Sequence, residues 1–250
     1  MGRAEHGFIQ RKMKIDQYYQ RLNQRSQAIF AATLKEPEVL ARGHSAALDL
    51  HRMRSCIGSD EATMLDVVCT QFEMSCLALT YGLYRPAFTS LRLALEFGLG
   101  ALLFSTNKLA YREWRNGSTD ADIKWSTINS PESGVFSSRF ATAFFPTLKE
   151  FVGEYRDRAA QVYRKLSEYV HGNHMTWKET GLALSYNAAL HDSFLIHLNE
   201  VSEVIMFGMC CRYLNELSAA QLEEIEPILT SAFTHIEPIR IVLGGPKDSK

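Results

Sequence analysis

At 250 residues, with 46% apolar and 22% charged side chains, the chain is long and apolar enough to bury a sizeable core. Its 27 basic and 28 acidic residues nearly cancel, to a formal net charge of -1. No global field therefore favours DNA or anionic lipid, which excludes a general nucleic-acid coat and leaves only local sites for a phosphate.

In chain order, helical periodicity dominates and strict alternation is missing. Ile15 to Leu34 reads as a Gln- and Arg-rich helix. Ser59, followed by Asp60 and Glu61, is a plausible N-cap for a helix that runs to about Tyr81 and ends at Gly82. Pro86 sits near the first turn of a helix to about Ser105, which is apolar nearly all round through Leu91, Leu95, Leu99 and Leu103 and reads as the bundle's centre. A short amphipathic piece, Leu109 to Arg115, stops at Asn116-Gly117. The polar stretch Gly117 to Gly134 reads as a long surface loop around a turn at Trp125, with the functional or mobile character such loops often have. Pro146 opens a strong helix to about His171, with Gly172 as its break. A long helix spans about Asn187 to Leu217, and Ser218 caps a last one ending near His235. The segment after it is expected to be loose, with 241–250 a flexible tail.

These elements make an all-α antiparallel helical bundle with extra helices and one long surface loop: a single domain over 1–240 with its core at about 59–217. The five cysteines (Cys56, Cys69, Cys76, Cys210 and Cys211) form no CxxC and no zinc-spaced cluster, which fits a reducing compartment. Met1 to Lys14 lacks the apolar core of a signal peptide, and the unbroken apolar stretch around Phe97 to Phe104 is short for a membrane span. The expected location is the cytoplasm, with no membrane contact. No cofactor or metal is implied.

Candidate chemistry concentrates in Tyr163-Arg164-Lys165-Leu166-Ser167-Glu168-Tyr169-Val170-His171-Gly172-Asn173. At about 100° per residue, Arg164 and His171 fall near roughly 160° and 140° from the apolar stripe, about 10 Å apart along the axis. Both point away from the core. Polar stripes are usually solvated faces, but an exposed Arg and His could also line a cleft that a second molecule completes. A His in the last turn feels the negative end of the helix dipole, which favours its charged form. Such a pair suits a phosphodiester, with Arg offsetting charge on the phosphate oxygens and His moving protons.

Arg92 and Glu96, four apart on the central apolar helix, are expected to be partly buried. The favoured reading is an intrahelical ion pair; the alternative is that one of them reaches the Arg164–His171 cleft. His191 and His197 read as satisfied helix residues, and Gly98 and Gly100 as packing contacts. Trp114 and Trp125 read as loop anchors more readily than as a base-stacking surface.

The run Tyr163 to Asn173 resembles the HEPN superfamily of bacterial helical domains. The Arg92-x-x-x-Glu96 helix beginning at Tyr84, and the pieces Glu113 to Gly117 and Trp125-Ser126, look similar to uncharacterised HEPN-like proteins. The resemblance covers about Tyr84 to Asn173. It implies an antiparallel bundle, often a homodimer, and for many members a metal-independent ribonuclease of toxin–antitoxin or phage-defence systems. The family's Arg-x(4–6)-His motif maps onto Arg164 and His171 as catalytic residues, with Arg92, Glu96 and Asn173 supporting, RNA as substrate, and an antitoxin or defence-system protein as a further partner. The chain departs from the motif at Lys165, where active members often carry a small polar residue. It departs again at Asn173, where members silenced by adenylylation carry a tyrosine. The alternative function is a non-catalytic HEPN-like module that binds nucleotide, RNA or protein.

Overall fold

The computed structural model describes residues 14–119, 121–171, 174–180 and 184–248, and among them every regular element is a helix. α1 (Ile15–Thr33) and α2 (Glu38–Ser55) lead through a 3₁₀ turn at Asp60–Ala62 into α3 (Thr63–Thr80). Then come α4 (Tyr84–Thr106), α5 (Lys108–Arg115), α6 (Trp125–Ile128), α7 (Ser138–Phe144) and α8 (Val152–Val170). The chain closes with α9 (His174–Glu179), α10 (Ala188–Tyr213), α11 (Ala219–Phe233) and α12 (Glu237–Val242).

Local chemistry explains several boundaries. Gly82 has φ +72°, a left-handed conformation that a side chain would strain, and it turns α3 back onto α4. Asn107 and Asn187 accept through Oδ1 from the backbone N–H three residues on, capping α5 and α10. Ser218 and Gln221 form a reciprocal capping box on α11.

α4 is the centre, packed against α3, α8 and α10. Its crossing with α10 is set by two glycines in reciprocal positions. A Cβ on Gly98 would lie 2.7 Å from Ile205 Cδ1, and one on Gly208 would lie 2.5 Å from Leu102 Cδ1. Each helix gives up a side chain where the other inserts one, which brings the backbones close and keeps the core dense. Beyond this crossing Phe207 stacks on Tyr155 at 3.6 Å between centroids, with Phe136 and Phe233 against them. Phe88 stacks on Tyr169 at 3.9 Å, which fastens the last turn of α8 to α4.

The structure corrects several sequence expectations. α2 was not expected; it starts at Pro37 with no side-chain cap and mixes polar with apolar residues, so its periodic signal is weak. The helix read from Pro146 begins as a 3₁₀ turn at Pro146–Leu148, and the α-helix proper starts at Val152. The loop from Gly117 to Gly134 is tied down, since Ile128, Val135 and Phe136 are buried and Ile123 packs over Gly100. The segment after His235 is not loose: Ile236 and Ile239 are buried and α12 forms, with Pro238 in its first turn, where proline fits. Arg240 also donates to the Pro246 carbonyl and pairs with Asp248.

Membrane-span length is also corrected. Asp60–Thr80, Tyr84–Thr106 and Ala188–Glu216 are each long and apolar enough to cross a bilayer by length and composition. An unbroken apolar run misses them because scattered polar residues interrupt each one. Central helices of a bundle carry the same composition, and 61% and 67% of the windows in Tyr84–Thr106 and Ala188–Glu216 are buried inside this fold.

Candidate functional site

The site forms where the middle of α4 meets the C-terminal half of α8. Arg92 is its hub. Nη2 of Arg92 donates to Glu96 Oε1 at 3.1 Å and to the Tyr163 hydroxyl at 2.8 Å, while Nη1 lies 3.5 Å from His171 Nε2. The guanidinium carbon is also 4.8 Å from the centre of the Tyr163 ring, within cation–π range. Trp125, from the tied-down loop, stacks on the Tyr163 ring at 3.8 Å and 5°. The guanidinium from α4 thus meets α8, and the loop backs α8 through Trp125 on Tyr163.

The backbone explains why His171 arrives there. It sits just past the last turn of α8, with its N–H bonded to the Ser167 carbonyl at 2.9 Å. The Ser167 hydroxyl donates back to the Tyr163 carbonyl at 2.6 Å, which tightens that turn. Thr176 Oγ1 donates to the Glu168 carbonyl at 2.8 Å and draws α9 back over the end of α8.

The side chains of Arg92 and Glu96 are 14% and 24% exposed, whereas His171 is exposed. The cluster is therefore built on a mostly desolvated cation and reaches solvent at an imidazole. Arg92 Nη1 can donate to His171 only when Nε2 is the accepting nitrogen of the ring. Arg92 Nε is buried and without a hydrogen-bond partner among the described residues. The part of the guanidinium that remains exposed, beside an accessible imidazole, can attract an anionic oxygen.

Arg164 lies elsewhere on α8. It is exposed and lines a groove of about 520 Å³ between α8 and α10, together with Arg158, Lys165, His197 and Glu200. Arg158 closes one side of that groove. Its Nε meets Glu200 Oε1 at 2.6 Å, and its Nη2 meets Glu200 Oε2 at 3.1 Å and Glu203 Oε2 at 2.5 Å. The hydrogen bonds to Glu200 above all, with those to Glu203, outweigh burial and push the Arg158 pKa further up.

Of the residues singled out from sequence, the structure thus brings together Arg92, Glu96 and His171. Arg164 stands on the neighbouring groove, and Asn173 lies outside the described residues. Arg92 and Glu96 form the expected intrahelical pair, and the same guanidinium also lies against His171, without Arg164. Tyr163 was not singled out as a site residue. Its eight-residue separation from His171, two turns and a little more along α8, is the signal that could have found it. Trp125 is a loop anchor as expected, and what it anchors to is the site.

His191 departs from the satisfied state expected of it. It is 3% exposed between Tyr84 and Tyr186, and its Nε2 has no partner among the described residues. Burial lowers its pKa, against the opposing pull of Glu36 and Asp192. Among the described residues no group of three His, Cys, Asp or Glu side chains converges as a metal site would require. In comparison with known proteins, the chain matches no family model, no curated protein and no solved structure.

Proposed function

We propose that this chain is a HEPN-like, cytoplasmic endoribonuclease of the toxin or phage-defence kind, with its chemistry at the Arg92–His171 cleft. One observation carries the reading. The two motifs that resemble HEPN-like proteins, Arg92-x-x-x-Glu96 and the Tyr163-to-His171 run, meet in a single hydrogen-bonded cluster although they stand 71 and 79 residues apart.

In this reading a ribose 2′-OH attacks the adjacent phosphorus. His171 takes the hydroxyl proton, Arg92 offsets charge on the non-bridging oxygens, and the 5′-oxygen leaves with a proton from water. The products are a 2′,3′-cyclic phosphate and a 5′-hydroxyl. Glu96 and Tyr163 hold the guanidinium in place. Arg164, the residue that the family motif would assign, faces a different groove of the same protomer and would join the site from the second copy of a homodimer.

The test is cleavage of total RNA in EDTA by the wild type beside Arg92→Met, Arg164→Ala and His171→Ala. Cutting by the wild type and loss in His171→Ala, with cyclic phosphate ends, supports the nuclease. Loss in Arg164→Ala adds the composite dimer. Cutting retained by His171→Ala in a clean preparation sinks the assignment.

A second reading has its own observation. Arg92 is already engaged by a carboxylate, a hydroxyl and an imidazole, as suits a rigid recognition element. The chain would then be a non-catalytic module binding nucleotide, RNA or a protein partner, and folded wild-type protein would bind RNA without cutting it.

A further inference from the structure

Arg85 stands seven residues before Arg92, on the same stripe of α4 and about 10 Å away along the axis. Its guanidinium carbon lies 3.9 Å from the centre of the Trp177 ring, and its Nη2 donates to Thr180 Oγ1 at 3.5 Å. Trp177 is nonetheless 58% exposed. One side of the indole is clamped by a cation, and the ring remains open to solvent.

Held in that way, Trp177 loses little further freedom when a flat ligand stacks on it. α9 is itself fastened to α8, through Thr176 and the Glu168 carbonyl, at the same end of the bundle as His171. We infer that Trp177, backed by Arg85, is a nucleobase-stacking platform for single-stranded RNA whose phosphate lies at Arg92 and His171. The inference rests on the reading of the cleft as an RNA site and extends it to a base-binding subsite.

Every base offers a π-face, so this platform is tolerant of sequence, and its loss weakens binding by about 5- to 100-fold. The experiment measures affinity for a short 2′-O-methyl oligouridylate, which has no free 2′-OH to attack, and for an abasic 2′-O-methyl ribose-phosphate oligomer of equal length. The proteins are the wild type, Trp177→Ala, Trp177→Phe and Arg92→Met, each checked for helicity by circular dichroism. Trp177→Ala is expected to weaken the base-bearing oligomer by that factor and leave the abasic one unchanged, while Trp177→Phe keeps most of the affinity. Wild-type affinity in Trp177→Ala, with Arg92→Met impaired, overturns the platform and leaves the RNA site standing. Equal loss on both oligomers also overturns stacking. No binding by the wild type removes the RNA site, and the platform with it.

Discussion

Arg158 and Arg92 show how the same side chain can be structural in one place and available in another. Arg158 is held by two carboxylates in three short hydrogen bonds, a closed arrangement that neutralises it and raises its pKa. Arg92 has one carboxylate, shares its remaining contacts with a neutral hydroxyl and an imidazole, and keeps Nε unpartnered. An anion approaching Arg158 would meet two negative partners. One approaching Arg92 meets a single carboxylate and an exposed histidine. Charge balance, more than position, separates the clamp from the site.

His171→Ala should lower RNA cleavage by at least about 100-fold, the usual size of a lost proton-transfer group. Its melting temperature should stay near that of the wild type, because the ring is exposed. Arg92→Lys should lower cleavage by about 10- to 100-fold, since an ammonium cannot span Glu96, Tyr163 and His171 at once. Arg158→Lys is its counterpart: it should leave cleavage near wild type and cost about 1–3 kcal/mol of stability in urea melts. If Arg158→Lys lost activity at unchanged stability, the contrast between the two arginines would collapse.

The smallest effect concerns pH. The His191 pKa is lowered by burial from an ordinary value near 6.5. Below that value the unfolded chain binds a proton that the buried ring resists, so unfolding gains ground as pH falls through the window beneath 6.5. Above the window this residue contributes no pH dependence. The slope should stay under about 1.4 kcal/mol per pH unit, the limit for one proton. Melting curves of His191→Gln against the wild type should be flatter in that window. An unchanged slope would show that other groups carry it.

How far the site was legible in sequence depends on the residue. His171 could be found because it ends a strong apolar stripe, and Arg92 with Glu96 because two charges interrupt an apolar helix. The partner of His171 could not be read from spacing. Arg164 has the better separation within one helix, yet the guanidinium bonded to the imidazole comes from α4. Trp125 was visible as an aromatic in a polar loop, but its ring partner lies on another element.

The sequence alone determined what short-range physics controls: the all-helical class, the Gly82 turn, the caps at Asn187 and Ser218, and the apolar centre at α4. Those features depend on residues within a few positions of one another. The tertiary structure decided which arginine meets the histidine, that the long loop lends Trp125 to the site, and that the C-terminal segment forms α12. Such contacts are set by the packing of distant elements, such as Gly98 beneath Ile205 and Phe88 on Tyr169, and the period of a helix carries no record of its neighbours.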